Sequence, residues 1–255
     1  MTEKPIPGVS EKWLQGKIVE NKHWTEALFS LKVEGAPLSF EAGQFVRIAL
    51  DIEGGNEPSR VARPFSFVNP PSNPVHEFYG VVVPEGPLSP RLARLQAGDT
   101  LYVARNPAGF LVLSEVPDTE SLWLMSTGTG IAPFLSMLQT DTPWKRFRNV
   151  VLVHAVRRAN ELAYRDLVRT FPRVNYVAFV SRETVPGTLA GRIPAALRDG
   201  RLENAAGLRL APESSHVMLC GNPEMLKDTQ AVLLERGLRK HRRRTPGHVT
   251  VESFW

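Results

Sequence analysis

Short apolar runs separated by turn residues dominate the first part of the chain. Segments 28–33, 44–50, 65–68, 78–83 and 101–104 are rich in β-branched and aromatic residues and read as strands. Between them lie Gly43, Gly54-Gly55, Asn69-Pro70-Pro71 and Gly98-Asp99, residues that turn a chain. This spacing predicts a small antiparallel barrel or sandwich. One interruption, 88–95, reads as a short helix with Ser89 as its cap. Pro90 would take its first helical position, where a missing N–H costs nothing. Beyond about residue 116 the pattern changes. Apolar strands at 122–126, 150–154, 175–180 and 216–220 alternate with helical segments at 132–139, 159–169 and 223–236. Continuous apolar strands parted by helices predict a parallel sheet covered on both faces. The change falls near Val116-Pro117-Asp118, so the expected domains are 1–115 and 116–255.

Composition narrows the class. A chain of 255 residues, 42% hydrophobic and 22% charged, has the material for two ordinary folded domains and excludes disorder. No apolar run approaches the ~20 residues of a membrane span, so no membrane partner is expected. Nor does the start carry the apolar stretch of a secretory signal. The single cysteine, Cys220, excludes an internal disulfide framework and a cluster held by four cysteines of this chain. A cytoplasmic setting is expected, with no metal site. The net charge of +5 is a modest excess of 31 basic over 26 acidic residues, so the placement of arginines matters more than their number.

Several segments carry candidate chemistry. In Arg63-Pro64-Phe65-Ser66, Arg63 and Phe65 share one strand face and Ser66 takes the other. A guanidinium suits phosphate and an aromatic ring can stack on a flat cofactor. A buried Phe beside an exposed Arg explains the same residues. Gly86-Pro87-Leu88-Ser89 opens a helix whose free N–H groups attract anions, or is simply a helix start. Thr127-Gly128-Thr129-Gly130-Ile131-Ala132-Pro133 follows a strand and opens a helix. Its glycines permit a tight turn near a phosphate, though the third glycine of a dinucleotide fingerprint is missing. Arg157, Arg158, Arg182 and Arg192 fall at strand ends or after Gly191. Strand C-terminal ends are where open parallel sheets bind ligands, and guanidiniums there suit a ribose 2′-phosphate, hence NADP over NAD. Cys220-Gly221-Asn222-Pro223 is a further strand end, and no base is evident that would make Cys220 a nucleophile. The tail ends Glu252-Ser253-Phe254-Trp255, apolar rings that need cover.

In their order along the chain these segments resemble the ferredoxin/flavodoxin–NADP⁺ reductase family, in its short bacterial branch. The resemblance covers nearly the whole chain. It implies a β plus α/β fold: a six-stranded antiparallel flavin-binding barrel followed by a parallel-sheet NADP(H)-binding domain. It implies an FAD-dependent enzyme moving electrons between NADPH and an acidic one-electron carrier, ferredoxin or flavodoxin. Arg63 and Pro64 would lie at the FAD pyrophosphate and Phe65 on one flavin face, where the family more often has Tyr. Ser66 would approach N5. Tyr79 would help hold FAD, while Pro87, Leu88 and Ser89 receive its phosphates and Thr127 touches it at the domain junction. Gly128, Thr129 and Gly130, with Gly221, Asn222 and Pro223, would support the nicotinamide and pyrophosphate. Arg157, Arg158, Ser181, Arg182 and Arg192 would meet the adenosine end of NADP. Cys220 and Glu252 would border the nicotinamide and tune proton traffic. Phe254 would cover the other flavin face and yield to the nicotinamide, and Trp255 would stack on the adenine. The basic run Arg236, Arg239, Lys240, Arg242, Arg243 and Arg244 is a solvated helix end or a steering surface for the carrier. A monomer is expected. Rival readings are an NADH-linked flavin reductase and a basic barrel that binds nucleic acid. The strand-end arginines argue against the first, and the turn at 127–133 against the second.

Overall fold

The computed structural model describes residues 12–52 and 59–253. The Gly54-Gly55 turn, Phe254 and Trp255 lie outside the described residues. The first half forms β1 (Trp13–His23), β2 (Leu28–Glu34), β3 (Phe45–Ile52), β4 (Ser59–Ser66), β5 (His76–Val81), the short helix α1 (Ser89–Leu92) and β6 (Thr100–Ala104). These strands make one six-stranded sheet in the order β4-β3-β6-β1-β2-β5, and every pairing is antiparallel. The sheet curls until its edges meet at a bridge between Phe67 and Phe78. Ile18, Phe29, Leu31, Ile48, Phe67, Phe78 and Leu101 fill its interior.

The second half contributes β7 (Ser121–Thr127), α2 (Ala132–Leu138), α3 (Thr142–Arg146), β8 (Asn149–Val156), α4 (Arg165–Arg169) and β9 (Val174–Val180). It continues with β10 (Leu189–Ala190), α5 (Ile193–Arg198), α6 (Arg201–Ala206), β11 (Ser215–Gly221), α7 (Pro223–Glu235) and β12 (Val249–Ser253). All six strands run parallel in the order β10-β9-β8-β7-β11-β12. Apolar clusters cover both faces of this sheet. One of them also takes in Leu28, Val68 and Tyr79 from the antiparallel half, so the two halves share a core where they meet. No helix among the described residues is long and apolar enough to cross a membrane.

Four local expectations change. Strand β4 ends at Ser66, so Arg63 to Ser66 close a strand and do not open one. Ser89 is the first residue of α1, which puts Pro90 second, and its hydroxyl makes no cap bond. That hydroxyl accepts the Val83 N–H at 2.9 Å and ties the helix start to the end of β5. Segment 159–169 is no continuous helix. A 3₁₀ turn at Ala159–Glu161 is followed by Tyr164 in the left-handed region and only then by α4. Glu161 folds back to accept the Arg157 N–H at 2.8 Å, which tightens the turn beyond α-helical pitch. Finally, the basic run is no uniformly solvated face. Arg236 turns inward to Glu203 at 2.8 Å and the Leu210 carbonyl at 2.9 Å, and Arg243 pairs with Glu115.

Candidate functional site

A cleft of about 320 Å³ opens where the curled sheet meets the parallel one. Its walls are the end of β4 (Arg63 to Ser66), the end of β5 (Tyr79 to Val81), the Gly86–Ser89 turn, and Thr129 with Ala132 from the parallel half. Three separate sequence motifs therefore converge on one cavity. Along the end of β4, Arg63 is exposed, Phe65 half-buried and Ser66 buried, and all three line the cleft. The Arg63 guanidinium is braced by the Ala62 carbonyl at 2.8 Å and keeps its other donors free for a ligand.

The polar groups of the cleft are under-used. Ser66 Oγ and the Tyr79 hydroxyl are buried without a hydrogen-bond partner, a costly arrangement in a finished core. Burial raises the Tyr79 phenol well above its ordinary range, so it is a neutral donor. Ser89 Oγ accepts from Val83 and keeps its own proton to donate. Unpartnered donors beside an apolar wall suit a flat, polar-edged ring carrying phosphates, which is the chemistry of a flavin dinucleotide.

Beside this cleft stands the turn between β7 and α2. Residues 128–131 form a single 3₁₀ turn. Gly128 has φ +53° with open space around its Cα, so a ligand can approach it. His154, fully buried on β8, fixes the turn from below: Nε2 lies 3.1 Å from the Gly128 carbonyl. Burial pushes its pKa down to about 4, so the ring is neutral and the accepting carbonyl assigns the proton to Nε2. Sequence reasoning missed His154, because one histidine in an apolar strand looks like any core residue. Thr127 is not among the residues that line the cleft. Its Oγ1 accepts the Asn222 N–H at 2.9 Å, linking the ends of β7 and β11. Gly221, at φ +133°, permits that contact, since a Cβ there would sit 2.2 Å from Thr127 Oγ1. Asn222 caps α7 by accepting the Glu224 and Met225 N–H groups, with Pro223 as the first helical residue.

Cys220 and Glu252 are neighbours across β11 and β12. Burial raises the Cys220 thiol well above its usual range, with Glu252 adding to the effect, so it stays protonated. Burial likewise pushes Glu252 up to about 7, opposed by the N–H groups of Phe110 and Leu111. One of its carboxylate oxygens is buried and unpartnered.

The arginines follow the strand ends of the parallel sheet or precede a helix. Arg157 and Arg158 follow β8, and Ser181 and Arg182 follow β9. The Arg182 N–H donates to the Arg157 carbonyl at 2.9 Å, which holds the two loops side by side. Arg192 precedes α5 with extended backbone. All four arginines are exposed, and among the described residues none is in an ion pair. The cleft also includes Gly80, Val81 and Val83, which the sequence did not single out. They supply backbone and apolar wall and leave no polar signature.

Residues 124–231 match the oxidoreductase NAD-binding domain family. A flavodoxin/ferredoxin–NADP reductase of Shigella flexneri is 50% identical over 249 residues, covering 95% of this chain and 99% of the relative. The flavodoxin/ferredoxin–NADP reductase of Escherichia coli (strain K12) is 49% identical over the same length and coverage. A ferredoxin NADP⁺ reductase from Neisseria gonorrhoeae, solved with bound FAD and NADP, superposes with a TM-score of 0.91. That structure is 35% identical and covers 96% of this chain and 100% of its own. Identity of this degree over nearly every residue, on a shared fold, means that the chain belongs to the flavodoxin/ferredoxin–NADP reductase family.

Proposed function

We propose that this oxidoreductase holds FAD in the cleft between its two sheets and NADP(H) along the strand ends of the parallel one. On this reading it moves electrons between NADP(H) and ferredoxin or flavodoxin. The observation that carries the reading is the cleft itself. It joins Arg63, Phe65, Ser66, Tyr79 and Ser89 to Thr129 and Ala132, and two of its buried hydroxyls lack partners. When bound, FAD supplies hydride acceptance from the nicotinamide and release of electrons one at a time, chemistry no side chain here provides.

The protein's own part is binding, orientation and proton control. Arg63, beside Pro64, neutralises pyrophosphate charge, and the Ser89 hydroxyl donates to phosphate within the Pro87-Leu88-Ser89 turn. Phe65 offers a ring face without a phenol. Ser66 Oγ and Tyr79 Oη donate to the polar edge of the flavin. Thr127 ties the two strand ends and so sets the height of the Gly128-Thr129-Gly130 turn beneath the nicotinamide and pyrophosphate. Gly221, Asn222 and Pro223 form the opposite lip. Cys220 stays neutral and packs. Glu252, with its carboxyl near 7, holds or yields a proton at neutral pH.

Arg157, Arg158, Ser181, Arg182 and Arg192 receive the 2′-phosphate and adenosine. With Arg157→Ala and Arg182→Ala combined, the preference for NADPH over NADH falls at least about tenfold, since each charge-assisted bond to phosphate contributes about 1.5–3 kcal/mol. Initial reduction rates with the two cofactors measure it, and an unchanged preference refutes the assignment. Arg239, Lys240, Arg242 and Arg244 steer an acidic carrier, so carrier reduction slows as salt rises. The enzyme acts as a cytoplasmic monomer without nucleic acid or membrane, and its domains divide at Val116-Pro117-Asp118.

A further inference from the structure

Tyr164 is the one residue other than glycine, among the described residues, whose backbone lies in the left-handed region, at φ +61°. A bulky aromatic residue adopts that conformation only where its surroundings enforce it. The enforcement comes from the other half of the molecule. On β5, Glu77 and Tyr79 are two apart and share a face, while Phe78 between them points into the barrel core. Tyr164 meets both. Its hydroxyl donates to Glu77 Oε1 at 2.7 Å. Its ring stands edge-on to Tyr79, with centroids 5.2 Å apart at 81°. Trp24 closes the other side at 4.6 Å, and its indole N–H donates to Ser30 Oγ at 3.2 Å.

Two consequences follow from this geometry. The hydroxyl bond fixes the far end of the Tyr164 ring, and the strained backbone fixes the near end, so the ring has no freedom to slide. Tyr79, pressed against it, keeps its own ring plane, and its hydroxyl is one of the two unpartnered donors on the cleft wall. A donor that meets a ligand must be held by groups that do not touch the ligand.

We propose that Tyr164 is a positioning residue for flavin binding: bolted to Glu77 across the junction of the two halves, it fixes the Tyr79 ring and so aims the Tyr79 hydroxyl at the flavin. The inference rests on the reading that Tyr79 contacts FAD.

The test is the rate at which purified holoenzyme releases FAD, followed by the rise of flavin fluorescence on dilution. Tyr164→Leu removes bolt and ring, and the expected effect is release about tenfold faster, with less than about a twofold further change when Tyr79→Phe is already present. Tyr164→Phe keeps the ring and loses the bolt, so release about threefold faster is expected, again without effect in the Tyr79→Phe background. This second variant preserves the test if Tyr164→Leu does not fold. Glu77→Gln retains an oxygen to accept from Tyr164 and leaves release within about twofold, whereas Glu77→Leu matches Tyr164→Phe. Equal acceleration in both backgrounds would make Tyr164 a general stabiliser and overturn the proposal. So would fast release from Tyr79→Phe with unchanged release from both Tyr164 variants. Unchanged release from Tyr79→Phe itself would instead remove the reading of Tyr79 on which the proposal stands.

Discussion

Replacing Glu252 by glutamine removes one titration while keeping the shape of the side chain. Glu252 lies on β12 opposite Cys220 and keeps one buried oxygen without a partner. Burial pushes its carboxyl from 4.5 up to about 7, although the Phe110 and Leu111 N–H groups favour the charged form. Between those values the folded protein holds a proton that the unfolded chain has lost. The stability carried by this proton is fully present below about 4.5 and drains away as pH climbs to about 7. Across that window the displacement corresponds to about 3 kcal/mol. Urea unfolding of holoenzyme at constant excess FAD, repeated in steps from about pH 4.5 to about pH 8.5, reads the effect directly. Relative to the parent, Glu252→Gln gains about 3 kcal/mol between the acid and alkaline ends. NADPH-driven reduction of the parent bends near pH 7, and the variant loses that bend. A stability difference that stays flat with pH refutes the claim that burial governs this carboxyl.

Two further outcomes are expected. His154→Leu frees the Gly128 carbonyl, so KM for NADPH rises about fivefold or more while bound-flavin absorbance stays unchanged, given about 1 kcal/mol for the lost hydrogen bond; an unchanged KM in steady-state assays excludes the role. Arg236→Ala breaks the links to Glu203 and Leu210 and lowers stability by about 1–3 kcal/mol in urea unfolding, whereas Arg244→Ala leaves stability intact; equal stability of the two variants contradicts the inward role of Arg236.

Much of the fold was readable because buried parallel strands announce themselves. Segments 122–126 and 150–154 are almost wholly apolar, and each lies within a strand of the central sheet. The antiparallel half was harder. β1, from Trp13 to His23, is its longest strand, yet the residue pattern did not mark it. Only Leu14, Gly16 and Ile18 face inward, and Gln15, Lys17 and Glu20 give the segment the look of a loop. β12 was likewise hidden, because parallel pairing with β11 leaves no local turn to signal it. The break at Tyr164 had no local cause that a sequence could show, since Glu77, far away in the chain, holds it. In the cleft, segments with distinctive side chains were legible: Arg63 to Ser66 and Ser89. His154 and Gly80 were not, because their roles depend on what the fold packs against them. The inward turn of Arg236 belongs to the same class, as a run of six clustered cations does not show which of them turns inward.

The most direct measurement is the visible spectrum of the purified protein under anaerobic conditions, before and after NADPH or NADH in separate cuvettes. The account predicts a yellow protein whose flavin band is bleached much faster by NADPH. Equal bleaching by both would reduce the strand-end arginines to surface charge. A protein that stays colourless after FAD is supplied would contradict the assignment of the cleft itself.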